Sequence, residues 1–563
     1  MVESSYWKRF NKRVSRRTLL GGSAALALGA ASAALVGCNG GTNGNGGNGD
    51  TSGAPSPAAA GTPRLGGHIT MGRGVASLGI DPHVDLTGLD IDALVYSYLY
   101  SWRTGTEEIV LNNLAEKFEQ PDEEHLEFIF TLRPGVKIHP GGPGAGEEMT
   151  SEDCVASFER RGTALTAPDK RFPHRIERYE TPDPYTFKFV MKRPFVPAVR
   201  EMANATWAIV PKKVIDANPN GLSQVAFGSG PFKLEEFRGQ EKIVLRKHED
   251  FFLKPRPWLD SMTNIVITEN SSLLAAFKGG QHDVNGALLS KSNADDLQSD
   301  QNFIVIRTPS FFYPVIHLKM REPFENIKVR EAINLALNRD EIINVIQQGE
   351  GEYNPPIQWA QTKWALPQAE VRAFYKHDPD RARALLAEAD LPNGFSAKMK
   401  LPKLTGPSIV GDIAALVKDQ LGRVGINIEL DEVELGAFIS STLLPGNFHM
   451  AFFPNLPYDE PDRPLAFYHS KGVTGNGNWT NYSNKELDQL VDEQSEEFDE
   501  VKRKDIILKA QRLILAQHGP QLTLTGGYNY QARWNYVHFG TELTGEEPPK
   551  DAGPFGADIW VDK

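Results

Sequence analysis

Hydrophobic and polar residues alternate along several short segments in the first half of the chain. In HLEFIFTLRPGVKIH the alternation runs from Leu126 to Leu132, and Pro134 and Gly135 follow as a turn. A period of two is typical of a strand with one buried face, and we interpret this segment as a β-hairpin. TPDPYTFKFVMKRPF and KIVLRKHEDFF repeat the pattern. The first half is therefore predicted to be rich in β-structure.

Helical periodicity becomes frequent after about residue 325. NIKVREAINLALNRDEIINVIQQG carries an apolar stripe, restarts at Asp340 and stops at Gly349, which predicts two consecutive helices. A further helix is predicted in DPDRARALLAEADLPNG, with Asp378 as its N-cap and Pro379 at its first position. The second half is therefore predicted to be α/β. No fixed-period repeat is present in the sequence, which argues against a solenoid or a propeller.

The segment SNKELDQLVDEQ contains the spacing of a capping box. Ser483 and Glu486 lie three residues apart in front of an apolar stripe. We therefore predict a helix that Ser483 caps.

The N-terminal segment has the order of an export signal. Six Lys or Arg precede a short apolar run. Arg16 and Arg17 resemble the paired arginines of a twin-arginine signal, and LVGC, which ends at Cys38, resembles a lipobox. We therefore expect residues 1–37 to be a signal peptide and Cys38 to carry a lipid. A plain N-terminal membrane helix is the alternative, although the run is short for a bilayer span.

Residues 38–63 are predicted to form a disordered tether. Gly, Asn, Pro and Ala dominate this segment, which offers almost no apolar area for burial. A Gly-rich coil of this length has an r.m.s. reach of roughly 25–30 Å. Gly44, Gly46 and Gly49 have the G-x-G-x-x-G spacing, but no strand precedes them and no helix follows. We therefore do not interpret them as a dinucleotide site.

Charge and composition exclude several functions. The chain has a net charge of −12. Residues 1–37 contribute six basic residues and one Glu, so removing this +5 segment leaves −17. Such acidity argues against nucleic-acid binding. If Cys38 is lipidated, no disulfide forms, and Cys154 is predicted to be a small buried hydrophobic residue. Cys and His form no closely spaced cluster in the sequence, so we predict no protein-held metal and no cofactor.

Several segments, in order, resemble one protein family. They are NNLAEKFEQPDEEHLEFIFTLRPGVKIHPGG, MTSEDCVASFERR, ETPDPYTFKFVMKRPFVP, FGSGPFKLEEF, IKVREAINLALNRDEIINVI and KHDPDRARALLAEADLPNGF. Together they resemble the extracytoplasmic solute-binding proteins of ABC importers, in the peptide/nickel-binding family 5. The resemblance spans nearly all of residues 64–545, and the predicted export signal agrees with it independently.

The resemblance implies an α/β, two-lobed periplasmic-binding-protein-like fold of type II. It implies mixed sheets, a hinge of two crossover strands, and an extra β-rich subdomain at about 100–207. Lobe one would comprise residues 64–308 and a return segment at 524–563, and lobe two residues 309–523. The expected partners are a small solute, an ABC permease and its ATPase. The protein would be a monomer on the outer face of the cell membrane, anchored through the lipid of Cys38.

The resemblance places the ligand in a cleft that loops of both lobes line. The early loop of lobe one is MGRGVASLGIDPH, with Met71, Gly72 and Gly74 as candidate binding residues. Glycines let the backbone approach a ligand closely, although ordinary turn glycines are the alternative. Aromatic candidates are Trp359 and Trp479 in lobe two and Tyr528 near the return to lobe one. Flat rings suit sugars and cations, but structural packing is the favoured alternative for each of these residues.

The lobe-two loop FFPNLPYDEPDRP departs from the family's pattern. Peptide binders of the family carry W-x-x-D-[YF]-x-D-P here, with the first Asp pairing with the α-ammonium of the peptide. In this sequence Pro457 takes the place of that Asp, followed by Tyr458, Asp459 and Glu460. Asp459 and Glu460 are the candidates to supply the carboxylate, because a buried ammonium needs a paired charge. A solvated acidic loop is the alternative.

The predicted function is capture of a peptide-like solute and its delivery to a membrane permease. The chain has no P-loop, no G-x-S-x-G and no H-E-x-x-H, so we predict no enzymatic activity. An oligosaccharide, an opine or a metal chelate are alternative ligands, and a sensor or a chaperone is an alternative role. A secreted, lipid-anchored hydrolase is the least favoured hypothesis.

Overall fold

A computed structural model describes most of the chain after the predicted tether. The described residues are 63–85, 87–102, 109–111, 113–163, 171–286, 289–310, 313–403, 409–455, 460–472, 478–539 and 554–563. The predicted signal and the predicted tether up to residue 62, with Arg16, Arg17 and Cys38, lie outside them. No helix in these ranges is long and apolar enough to cross a membrane.

The strands are numbered in chain order. They are β1 His68–Arg73, β2 Ser101–Trp102, β3 Ile109–Val110, β4 Ala115–Glu119, β5 Glu127–Leu132, β6 Ile176–Asp183, β7 Thr186–Met191, β8 Phe232–Arg238, β9 Lys242–Lys247, β10 Ser261–Val266, β11 Val284–Asn285, β12 Phe303–Pro309, β13 Tyr313–Leu318, β14 Glu352–Tyr353, β15 Phe395–Lys403, β16 Ile426–Glu434, β17 Met450–Asn455, β18 Gln521–Thr523, β19 Thr525–Gly526, β20 Tyr528–Trp534, β21 Val537–His538 and β22 Trp560–Val561.

The α-helices are numbered in the same way. They are α1 Leu89–Val95, α2 Ser151–Thr163, α3 Arg171–Arg175, α4 Pro197–Glu201, α5 Lys212–Ala217, α6 Asn270–Lys278, α7 Lys291–Gln298, α8 Ile327–Ala336, α9 Arg339–Val345, α10 Gln368–Phe374, α11 Pro379–Glu388, α12 Ile409–Gly422, α13 Leu435–Ala437, α14 Asp462–Ala466, α15 Lys485–Glu496 and α16 Glu500–Ala516. Short 3₁₀ segments span Ala205–Trp207 and Pro554–Asp558, and a π-helical segment spans Phe438–Leu443.

The largest sheet combines strands from the two ends of the described chain. Its order is β12-β20-β11-β1-β10-β9-β8. β1 pairs in parallel with β10 and β11, whereas β20 runs antiparallel to β11 and β12. One core against this sheet contains Ile69, Met262 and Val284, together with Val537 and Val561 from the C-terminal segment. Strand β20 from the C-terminal region therefore completes this sheet, and β21 and β22, which pair with each other, add Val537 and Val561 to its core.

A second mixed sheet has a separate core. Its order is β16-β15-β17-β13-β18, with β13 antiparallel to β17 and β18 and β15 parallel to β16 and β17. Apolar side chains of α8, α11 and α12 pack on one face, including Ile333, Leu385 and Val417. Because each large sheet buries its own apolar face, each can stay intact while the other moves.

A four-stranded antiparallel sheet, β4-β5-β7-β6, forms a third layer. Its core is aromatic: the rings of Phe128 and Phe189 stack with centroids 4.6 Å apart. The ring centroid of Phe158, on α2, lies 5.0 Å from the ring centroids of both Phe187 and Trp207. Cys154 of α2 is fully buried in this region, as predicted. The architecture is thus α/β with several mixed or antiparallel sheets.

The predicted hairpin at Leu126 is wrong in its pairing, although its first strand is present as β5. Both edges of β5 are already occupied, by β4 on one side and by β7 on the other. The residues after the Pro134-Gly135 turn therefore find no free edge there. Lys137 instead forms an isolated bridge with Glu148.

The helix predictions of the second half are largely confirmed. α8 and α9 follow one another as the periodicity predicts, and Asp378 caps α11 by accepting a hydrogen bond from the Arg381 N–H at 2.9 Å. The predicted cap of α15 is one residue out of place. Asn484, and not Ser483, accepts from the N–H of Leu487, at 3.0 Å.

Substitution of these two neighbours separates the observed cap from the predicted one. We expect Asn484→Ala to lower the free energy of unfolding by about 1 kcal/mol, because the Leu487 N–H loses its acceptor. Ser483→Ala, the matched control, should cost less than about 0.5 kcal/mol. Urea unfolding followed by far-UV circular dichroism measures both changes. A larger loss in the Ser483 variant would contradict the observed cap.

Candidate functional site

The chain crosses between the two large sheets twice, and the two crossings lie side by side. β12 of the seven-stranded sheet leads to β13 of the five-stranded sheet, and β18 returns through β19 to β20. The N–H of Ser310 donates to the carbonyl of Gly527 at 2.9 Å. This hydrogen bond ties the outgoing segment to the returning one.

The carboxyl end of β1, in the seven-stranded sheet, lies on the side of these crossings. In the sheet register, Gly72 pairs with Asn285 and Asn285 pairs with Ala532, so the chain of β20 reaches Tyr528 beyond the carboxyl end of β1. β12 ends on the same side of the sheet, because its last residue, Pro309, pairs with Tyr528. Ligands of open α/β sheets bind outside the carboxyl ends of parallel strands. The register therefore places the start of the early loop and the crossings toward the same end of these strands, where we locate the candidate site.

Two of the predicted aromatic residues meet at the crossings. The rings of Trp359 and Tyr528 contact edge to face, with centroids 5.5 Å apart. The Arg307 guanidinium lies 3.4 Å from the centroid of the Tyr528 ring. A Cβ at Gly526 would lie 2.5 Å from Trp359 Nε1, so only glycine allows the indole to approach this closely. The sequence places these residues far apart, and the fold brings them together.

An acidic residue that the sequence analysis missed lies against the same cluster. Glu350 accepts hydrogen bonds from Tyr530 and, at 3.3 Å, from Arg307 Nε, and Lys291 Nζ lies 3.7 Å from its other oxygen. Glu350 follows α9, whereas its three partners belong to the seven-stranded sheet or to α7, which packs on that sheet. No local motif marks Glu350, because its partners are distant in sequence.

Buried polar atoms without hydrogen-bond partners lie beside Trp359. They are Asn354 Nδ2, Gln358 Oε1, Trp359 Nε1 and Thr525 Oγ1. Other atoms of the same residues are bound: Gln358 Nε2 donates to the carbonyl of Ser310, and Asn354 Oδ1 accepts from the N–H of Trp359 at 3.2 Å. Buried polar atoms normally have partners. Among the described residues these four atoms have no partner, so they are candidates for contact with a polar ligand or ordered water.

The early loop contributes close backbone packing. Gly72 is buried, and a Cβ there would lie 2.5 Å from His282 Nε2. Burial lowers the pKa of His282, so its imidazole is neutral at pH 7. Met71 is half-buried and packs against the core of the seven-stranded sheet. Gly74, also half-buried, follows the end of β1.

Trp479 packs within the five-stranded sheet region. Its Nε1 donates to His317 Nδ1 at 3.3 Å, and its ring lies 4.9 Å from that of Phe467. Burial lowers the pKa of His317 to about 4, so its ring is neutral at pH 7. Its Nε2 lies 3.3 Å from the Phe453 carbonyl and so carries the ring proton, which leaves Nδ1 to accept from Trp479. No contact described for Trp479 joins it to Trp359 or Tyr528, so the structure supports a packing role for its indole.

Glu460 is held inside the protein by an ion pair. Its carboxylate accepts from Arg503 Nη2, and Arg503 Nε donates to the carbonyl of Gln494 at 2.9 Å. The Glu460 side chain is only 10% exposed and that of Arg503 only 5%. This pair occupies the carboxylate with a structural partner. The other two candidates of the loop, Tyr458 and Asp459, lie outside the described residues.

In the part of the chain that the structure describes, no group of three His, Cys, Asp or Glu side chains could hold a metal ion.

Residues 110–478 match the sequence profile of the middle region of the bacterial extracellular solute-binding proteins, family 5. The dipeptide-binding protein of Escherichia coli K12 is 24% identical over 481 residues, which cover 79% of this chain and 86% of that protein.

Solved structures show the same fold. A DppA periplasmic binding protein from Helicobacter pylori, in complex with the peptide STSA, superposes with a TM-score of 0.75 at 23% identity, covering 89% of this chain and 99% of that one. AgaA from A. tumefaciens R10, in complex with agropinic acid, gives 0.76 at 23% identity, covering 88% and 99%. The predicted two-lobed periplasmic-binding-protein-like fold is thereby confirmed.

The Glu460–Arg503 pair predicts a specific stability effect. Arg503→Met should lower the free energy of unfolding by about 3–5 kcal/mol, because it leaves the buried Glu460 carboxylate without a partner. The double variant Arg503→Met/Glu460→Gln should recover most of this loss. Urea unfolding measures both changes.

The matched control is Arg512→Met, which removes an exposed pair with Glu370. We expect it to cost less than about 1 kcal/mol. Equal losses in the two single variants would show that Glu460 does not depend on Arg503.

Proposed function

The chain belongs to family 5 of the bacterial extracellular solute-binding proteins, and on this premise we propose that it captures a peptide-like solute between two lobes. The E. coli relative binds dipeptides by its name, and the H. pylori structure contains a peptide. Proteins of this family work with an ABC permease and an ATPase, which is the role we propose for this chain. It binds its solute and catalyses no reaction.

One observation supports this proposal most directly. Four buried polar atoms without partners, on Asn354, Gln358, Trp359 and Thr525, lie beside an aromatic pair at the crossings. A peptide group offers both a donor and an acceptor, so it can satisfy such atoms, while aromatic rings cover the side chains. The two sheets act as the cores of the two lobes, and the crossings act as their hinge. Ligand contacts with both lobes then favour the closed form.

Asp459 is the residue that we propose for the α-ammonium of the ligand. Pro457 cannot supply a charge, and the Glu460 carboxylate is already paired with Arg503. Asp462, the next carboxylate, accepts from Gln494 Nε2 at 2.6 Å. Asp459 is thus the remaining acidic residue in YDEPD, and an ammonium buried in the cleft requires such a partner.

The cellular context is proposed from the sequence. Twin arginines direct export, and the lipid on Cys38 anchors the protein to the outer face of the membrane. The tether of residues 38–63, with an r.m.s. reach of roughly 25–30 Å, then holds the binding domain near the membrane that contains its permease. The protein acts as a monomer.

Native mass spectrometry of the protein, purified gently without added ligand, tests the solute class. A bound series of peptide masses supports the proposal, and a defined pool of synthetic di-, tri- and tetrapeptides then identifies the preferred length. A bound opine, oligosaccharide or metal chelate would contradict the peptide proposal while keeping the binding role. If no ligand is retained and no peptide of the pool raises the melting temperature, solute capture itself is contradicted.

Trp359→Ala tests the aromatic pair. We expect it to weaken binding of the tightest peptide of the pool about 10- to 100-fold, because a buried aromatic contact and its covered polar atoms are lost. Isothermal titration calorimetry measures this change.

Trp258→Ala is the matched control. Trp258 is also half-buried, but it precedes β10. Because β10 runs parallel to β1, Trp258 lies at the amino end of these strands, opposite to the candidate site. Its peptide affinity should stay within about twofold of the wild type. An equal loss in both variants would show that the effect comes from destabilisation and not from the site.

Asp459→Asn tests the proposed charge partner. We expect it to weaken binding of a free peptide at least about tenfold, since an ammonium loses its counter-charge. Binding of the N-acetylated form of the same peptide should change little between wild type and variant. If both forms lose affinity equally, Asp459 does not recognise the ammonium.

A further inference from the structure

A small contact away from the crossings joins the β-rich sheet region to the end of α15. On one side lie Arg175, at the end of α3, and Arg193, just after β7. On the other side lies Glu496, the last residue of α15. We call these three residues the clasp. Arg193 and Glu496 are separated by 303 positions in the sequence.

The clasp is an ion-pair network on one carboxylate. Arg193 Nη2 lies 2.8 Å from Glu496 Oε1 and 3.0 Å from Oε2, and Arg175 Nη1 lies 3.8 Å from Oε1. The Arg175 guanidinium also lies 4.4 Å from the centroid of the Phe195 ring, which holds it in place. The Arg175 and Glu496 side chains are 25% and 27% exposed, whereas that of Arg193 is 68% exposed. Water therefore screens the Arg193 pair more strongly than the Arg175 pair, and the network contributes a modest free energy.

Contacts of other kinds flank the clasp. The N–H of Val196 donates to the carbonyl of Ser495 at 2.9 Å, and both residues are buried. The His125 and Phe498 rings stack 4.1 Å apart at an interplanar angle of 17°. Backbone, aromatic and charged contacts together fix a defined seating of α15 on the β-rich region.

Glu496 is unfavourably placed within its own helix. The carboxyl end of a helix carries partial negative charge, so a carboxylate there is repelled. The last turn of α15 contains no basic residue to offset this. The two arginines from the β-rich region supply the missing positive charge. Local cost compensated by a distant contact is the pattern expected of a residue that serves a function beyond its helix.

We propose that the clasp sets the balance between open and closed forms, and that Glu496 and Arg193 thereby determine ligand affinity without contacting ligand. This inference rests on the proposed function. The β-rich region belongs to residues 64–308 and α15 to residues 309–523, two parts that the polypeptide chain joins only at the crossings. Rotation about the crossings separates the two sides of the clasp, so only the closed form contains it. A contact present in one form shifts the population toward that form.

Small-angle X-ray scattering of the ligand-free protein tests the clasp independently of any ligand. Glu496→Arg places a positive charge against Arg175 and Arg193, and we expect a larger radius of gyration than in the wild type. Glu496→Arg combined with Arg193→Glu restores opposite charges and should return the radius toward the wild-type value. Scattering from Glu496→Arg that equals that of the wild type would overturn the proposal.

Ligand dissociation provides a second readout. With the tightest-binding member of the peptide pool, Glu496→Gln should release peptide about two- to fivefold faster in stopped-flow fluorescence, with an unchanged association rate. Arg193→Gln should act similarly, and the double variant should be no faster than either single one. Additive effects would show that the two residues do not act as a pair.

Glu493→Gln is the matched control. Glu493 lies one turn earlier on α15, is exposed, and contacts Gln489 of the same helix. It should leave both scattering and dissociation unchanged, and an effect equal to that of Glu496→Gln would overturn the proposal. If no peptide binds at all, the proposed function fails, but the scattering comparison still decides whether the clasp holds the lobes closed.

Discussion

The hydrogen bond from the Ser310 N–H to the Gly527 carbonyl joins the two segments on which the rest of the molecule depends. Each large sheet has its own apolar core. The chain passes from one sheet to the other only through these two segments. Glycine at 526 permits the indole of Trp359 to pack against the returning strand. The crossings thus connect the two large sheets and also form one side of the candidate ligand site.

Two kinds of buried polar group occur in this protein, and they have different consequences. Glu460 and Arg503 satisfy each other, so they stabilise their own lobe and offer nothing to a ligand. The free atoms of Asn354, Gln358 and Thr525 lack partners within the protein. Leaving such atoms unpaired in a dry interior is costly, so a ligand that paired with them would gain affinity, as the proposed function requires.

The proposed closure relies on attachments of different strength. The crossings are covalent and persist in every conformation. The clasp around Glu496 is noncovalent and partly exposed, so its ion pairs add a modest free energy to the buried backbone contact of Val196 with Ser495 beside it. Such a contact allows the lobes to part for ligand exchange while still biasing them toward closure, and it leaves ligand contacts to supply the remaining free energy.

The sequence by itself determined the elements whose signals are local. Alternation predicted β5, periodicity predicted α8 and α9, and the Asp378-Pro379 pair predicted the start of α11, because backbone geometry and capping depend on near neighbours. Ordered motifs indicated the family. Strand pairing and the site required the tertiary structure. β5 pairs with β7 instead of forming the expected hairpin, and Trp359 meets Tyr528 across almost 170 positions. The sequence also could not predict the contacts of Glu350 or the ion pair of Glu460 with Arg503. Burial and charge pairing are set by residues that are distant in the chain.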